Sequence, residues 1–69
     1  MNDEPRRTTV VLIPKAQEAL DSTAERTGLT KTDVMNRALQ AYAFLEEQVA
    51  AGAKILVRRG NSTEEVRFL

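Results

Sequence analysis

The residues of this sequence whose types and spacing could do chemistry are all suited to recognition. In residues 6–13 (RRTTVVLI), Arg7, Thr9 and Val11 recur at every second position. On an extended strand they share one face and present a guanidinium fork, a hydroxyl and a branched methyl pair in a row. Thr30, Lys31 and Thr32 follow Gly28 and Leu29. A threonine that caps a helix beside a lysine makes a helix N-terminus able to hold an anion. The tools of catalysis are missing. The chain has 0 His and 0 Cys, so it lacks the usual general base, the thiolate nucleophile and the commonest metal ligands. Its glycines number 3 and form no phosphate-cradling loop. No enzyme activity, no metal and no cofactor is expected.

Those side chains need elements to position them. Residues 1–5 are polar and include a proline, which reads as a flexible tail. Residues 6–13 are rich in β-branched side chains and read as a strand, with Thr8, Val10 and Leu12 on the face opposite Arg7, Thr9 and Val11. Pro14 ends that ladder and suits the first turn of a helix. Residues 15–27 predict the helix itself, with Ala16, Leu20 and Ala24 recurring at every fourth position and Gly28 as its C-cap. Thr30 then caps a second helix, and Asp33 completes a T-x-x-D capping box. Its apolar stripe runs through Val34, Ala38, Ala41, Leu45 and Val49, with Met35, Leu39 and Tyr42 alongside, and Gly52 closes it near Ala51. Residues 54–59 and 65–69 predict two strands around a turn at residues 60–64, with Arg58 and Arg59 opposed to Glu64 and Glu65.

Size and composition narrow the partners. A chain of 69 residues holds one domain. Near that length only about 60% of the unfolded surface is buried, so a lone core is marginal and needs disulfides, a metal or self-association. With no Cys and no His, self-association is what is left. No apolar run reaches the roughly 20 residues of a membrane span, and no signal peptide is read at the start. The absent cysteines fit a cytoplasmic location. Ten basic residues balance ten acidic ones, which disfavours indiscriminate polyanion binding.

A lone N-terminal strand needs a partner for its backbone groups. The C-terminal hairpin is one candidate, and the same strand of a second copy is the other. In the second arrangement Thr8, Val10 and Leu12 close over the helices of both chains. Arg7, Thr9 and Val11 are then doubled on an exposed antiparallel ribbon, a shape that fits the major groove of double-stranded DNA.

In this order, residues 7–12, Leu20, Ala24, residues 28–34 and residues 38–42 resemble the ribbon-helix-helix (Arc, Met repressor and CopG-like) DNA-binding family. The resemblance covers residues 7 to about 45. It implies a mainly α fold with short β (α+β) and an intertwined homodimer whose paired strands enter the major groove. It places base readout on Arg7, Thr9 and Val11, and a phosphate clamp on Thr30, Lys31 and Thr32. Arg6 is read as a further phosphate contact. The dimer interface and core are expected at Thr8, Val10, Leu12, Leu20, Val34, Ala38, Leu39, Tyr42 and Leu45. The chain departs from the family at Val11, where many members carry a polar or basic side chain. Its neutral charge implies weak binding by a single dimer, for which adjacent dimers bound cooperatively would compensate.

Each feature also has an ordinary reading. Arg and Thr are common on a solvated edge strand, and only the helices and glycine turn that follow favour readout. Thr30 caps its helix whatever Lys31 does. The expected organisation is a tail (1–5), a ribbon-helix-helix domain (6–51) and a hairpin extension (52–69). The hairpin is read first as a cover for Phe44, Leu45 and Val49 or as a self-association element, next as a docking site for a protein partner through Ile55, Val57, Val66 and Phe68, and last as a contact of Arg58, Arg59 and Arg67 with the DNA backbone. The expected function is a homodimeric, sequence-specific transcriptional repressor. The alternatives are an antitoxin whose C-terminal segment binds a toxin, and a plasmid or phage copy-control or partition protein.

Overall fold

A computed structural model of the chain describes residues 4–67, in which two helices precede a two-stranded antiparallel sheet: α1 (Pro14–Thr27), α2 (Lys31–Ala50), β1 (Leu56–Arg59) and β2 (Ser62–Glu65). The chain is a small α+β protein. Phe68 and Leu69, expected to end the last strand, lie outside the described residues, as do the first three residues of the expected tail.

Each helix boundary has a local cause. Ile13 is extended, and its carbonyl accepts the first helical bond, from the Gln17 N–H at 3.0 Å. Pro14 then starts α1 without wasting an N–H. The helix ends at Gly28, whose φ of 75° is a left-handed conformation that costs a side-chain-bearing residue about 1–2 kcal/mol. Thr30 caps α2 by accepting the Asp33 N–H at 3.0 Å. At the far end the Gly52 N–H donates to the Val49 carbonyl and the Ala53 N–H to the Gln48 carbonyl, each at 2.9 Å. These are the paired bonds of a Schellman terminus.

The hairpin differs from its expected register. Gly60 and Asn61 alone form the turn, so the ladder restarts at Ser62. Gly60 has φ 60° and Asn61 does not have positive φ, the pattern of a type II′ turn, whose twist matches the flanking strands. Arg59 pairs with Ser62, Arg58 with Thr63, Val57 with Glu64 and Leu56 with Glu65. The expected Arg–Glu opposition is therefore diagonal, with Arg59 reaching Glu64 at 3.6 Å.

Residues 6–13 are the main correction. Among the described residues they form no strand, because the only ladder is β1 with β2 and the hairpin does not extend to them. A strand exists through its neighbour's hydrogen bonds, and the described residues supply no such neighbour to this run.

Packing is thin. The two helices pack on each other, while neither β strand packs on a helix. Leu20 is the single buried apolar residue among those described. Val34, Leu45 and Leu12 are half-buried, whereas Thr8, Val10, Ala38, Leu39 and Tyr42, all expected in a core or interface, are exposed. Two helices cannot cover a stripe as broad as that of α2. The accessible surface of 6537 Å² is roughly half as much again as the ~4300 Å² that a compact protein of 7.7 kDa exposes.

Candidate functional site

Two regions carry the recognition side chains. The first is the run that leads into α1. Arg6, Arg7, Thr8, Thr9, Val10 and Val11 are all exposed, Val11 at 95%. Leu12 turns inward and lines an apolar groove between α1 and α2. The expected alternation is not seen over the rest of the run, since Thr8 and Val10 are exposed along with Arg7, Thr9 and Val11.

That groove has a volume of about 640 Å³. Leu20, Val34, Met35, Ala38 and Leu39 join Leu12 along it. Leu39 leaves 68% of its surface open and Tyr42, one turn further on, leaves 51%. The groove is therefore an unfilled core rather than a polar ligand pocket.

The second region is the corner between the helices. The Thr30 hydroxyl is committed to the Asp33 N–H. The Lys31 and Thr32 N–H groups belong to the first turn, where no helical acceptor exists. The Thr32 carbonyl accepts from Asn36 Nδ2 at 2.8 Å, which ties the first turn to the second. Lys31 does not extend freely. Its Nζ lies 3.1 Å from Asp21 Oδ1 on α1, and Gln17 Nε2 donates to the same oxygen at 3.1 Å. The Lys31 ammonium, and after it the Gln17 amide, hold the Asp21 carboxyl below the usual carboxylate range.

The structure therefore brings Thr30, Lys31 and Thr32 together at one corner and leaves Arg6, Arg7, Thr9 and Val11 on a separate exposed run. Asp21 and Gln17 were not anticipated. Their spacing of four on one helix is a legible signal for the hydrogen bond between them, but the pairing of Asp21 with Lys31 crosses between helices and leaves no local pattern.

The hairpin is a third surface. All eight residues of its two strands are exposed. Ile55 and Val66, just outside the strands, are half-buried and border Val49 across a small cleft. Phe44 and Val49 remain exposed, so the expected cover over this end of α2 is confined to that contact. Among the described residues no cluster of three or more His, Cys, Asp and Glu could hold a metal, and no helix is long and apolar enough to cross a membrane. A scan against protein-family models finds no match, and comparison with curated proteins and with solved structures yields none either.

Proposed function

We propose that the chain is a sequence-specific DNA-binding regulator that acts as an intertwined homodimer, with residues 6–13 of two copies paired into an antiparallel ribbon. The reading is carried by one observation. An exposed, unpaired β-branched run leads straight into an open apolar groove, in a chain whose only buried residue among those described is Leu20. A second copy satisfies both needs at once: its strand supplies the missing ladder, and its helices fill the groove. Standard interfaces bury ~800 Å² per partner, and the exposed surface exceeds that of a compact chain by more than this.

Pairing through Thr8, Val10 and Leu12 turns Arg7, Thr9 and Val11 outward. Arg7 can then bind a guanine edge in two places, Thr9 can bond a base, and Val11 can pack on a thymine methyl. The Lys31 and Thr32 N–H groups, the Lys31 ammonium and Arg6 take backbone phosphates and fix the register. Repression follows by occupancy of the site.

The experiment is selection from a randomised duplex pool, followed by affinity measurements on the enriched site. Arg7→Ala should remove about 1–3 kcal/mol of discrimination between that site and its mismatched variants. Lys31→Ala should weaken all duplexes alike and reduce the salt slope by about one. A pool without enrichment overturns the reading. A second reading, an antitoxin holding a toxin through its C-terminal segment, is favoured by the hairpin, whose strand residues are all exposed. A small protein encoded alongside and co-purifying at fixed stoichiometry would support it.

A further inference from the structure

We propose that Asp21 restrains sequence-independent DNA affinity by competing with backbone phosphate for Lys31. The inference rests on the DNA-binding reading above and names the residue that tunes its phosphate corner. Lys31 Nζ sits 3.1 Å from Asp21 Oδ1, so the ammonium offered to a phosphate already has a counter-ion. Asp21 is aimed from within its own helix, because Gln17 Nε2, one turn earlier, donates to the same oxygen at 3.1 Å. Those two partners also lower the pKa of the carboxyl, favouring its charged form.

Asp33 adds a second carboxylate in the first turn of α2. An incoming phosphate therefore meets one ammonium and two carboxylates, and it must either displace Asp21 or bind beside it. In both cases it loses part of what the exposed amide ends and the lysine would give. The ion pair is solvent-exposed on both sides. Exposed pairs of this kind change an equilibrium by about two- to fivefold. A homodimer carries two such corners, so their effects multiply.

The restraint acts on phosphate contacts and leaves base contacts alone. A phosphate contact is common to specific and non-specific complexes, so the restraint lowers both affinities and leaves their ratio as it is. The net charge of +0 acts in the same direction over the whole molecule.

The test uses the full chain and a short mixed-sequence duplex at low and moderate salt, read by fluorescence anisotropy. Asp21→Asn keeps an oxygen for the Gln17 hydrogen bond and removes the charge. It should tighten binding by about two- to fivefold per corner and steepen the salt dependence. Lys31→Ala should weaken binding, and Asp21→Asn in the Lys31→Ala background should lose most of its gain. Gln17→Ala, which only releases the carboxylate's aim, should tighten binding by a smaller factor. If Lys31→Ala weakens binding but Asp21→Asn leaves it unchanged or weaker, the competition is overturned and the DNA-binding reading stands. If neither the wild-type chain nor any variant binds the duplex, the DNA-binding reading falls and takes this inference with it.

Discussion

Leu39→Ala is the most informative single change. Leu39 lines the groove with 68% of its surface open to solvent. Full burial of a leucine is worth about 1.5–3 kcal/mol over leaving it exposed. Roughly two-thirds of that, about 1–2 kcal/mol, is therefore left for a second copy to gain. Alanine keeps only the β-carbon, and the two-fold makes the change twice per dimer. The dimer should lose about 2–4 kcal/mol, which raises its dissociation constant by about thirty- to a thousandfold. The helix itself is not at risk, since alanine is the best helix former. Sedimentation equilibrium over a range of concentrations measures the constant, and circular dichroism at high concentration checks that the helices persist. If Leu39 stays solvated in solution, the substitution shifts stability by no more than about 0.5 kcal/mol and leaves the association constant alone. That result would refute the argument that the groove is half of a shared core.

Two further outcomes follow from the corner between the helices. Thr30→Ala removes the acceptor of the Asp33 N–H, a bond of 3.0 Å, and should cost about 1 kcal/mol in urea unfolding, whereas Thr30→Ser should restore most of it. Asp21 is more acidic in the folded chain than when unfolded. Its contribution to stability is therefore present above the unfolded carboxylate pKa of about 3.9 and is lost as pH falls through the lower folded value. Urea unfolding of wild type and Asp21→Asn across that range should show a gap at neutral pH that closes in acid, and a gap of constant size would exclude the ion pair as its source.

The helices were legible because their ends are chemical. Pro14, Gly28 and Thr30 each act within a few residues, and each sits at or next to the boundary its chemistry specifies. The four-residue recurrence of Ala16, Leu20 and Ala24 likewise identified the face that carries Leu20, the one buried residue among those described. The hairpin was legible in kind but not in register. Ser62, Thr63 and Glu64 look like turn residues by composition, yet Gly60 permits a two-residue turn and draws them into the ladder. The least legible part was burial. The pattern through Val34, Ala38 and Leu45 specifies an apolar face, but no sequence pattern says whether the same chain covers it. Residues 6–13 pose the same question for the backbone, since strand propensity is a preference for a partner. The Asp21–Lys31 pair depends on how two helices cross, which neither helix encodes alone.

The most direct measurement is isotope-filtered NMR on a sample refolded from equal amounts of labelled and unlabelled chain, which reports contacts between copies only. Paired strands lie about 4.7–4.9 Å apart, so residues 7–12 should show strong backbone cross-peaks between chains, symmetric about a two-fold axis near the middle of the run. Cross-peaks that join this run only to its own molecule, or none between copies at concentrations where DNA is bound, would contradict the account.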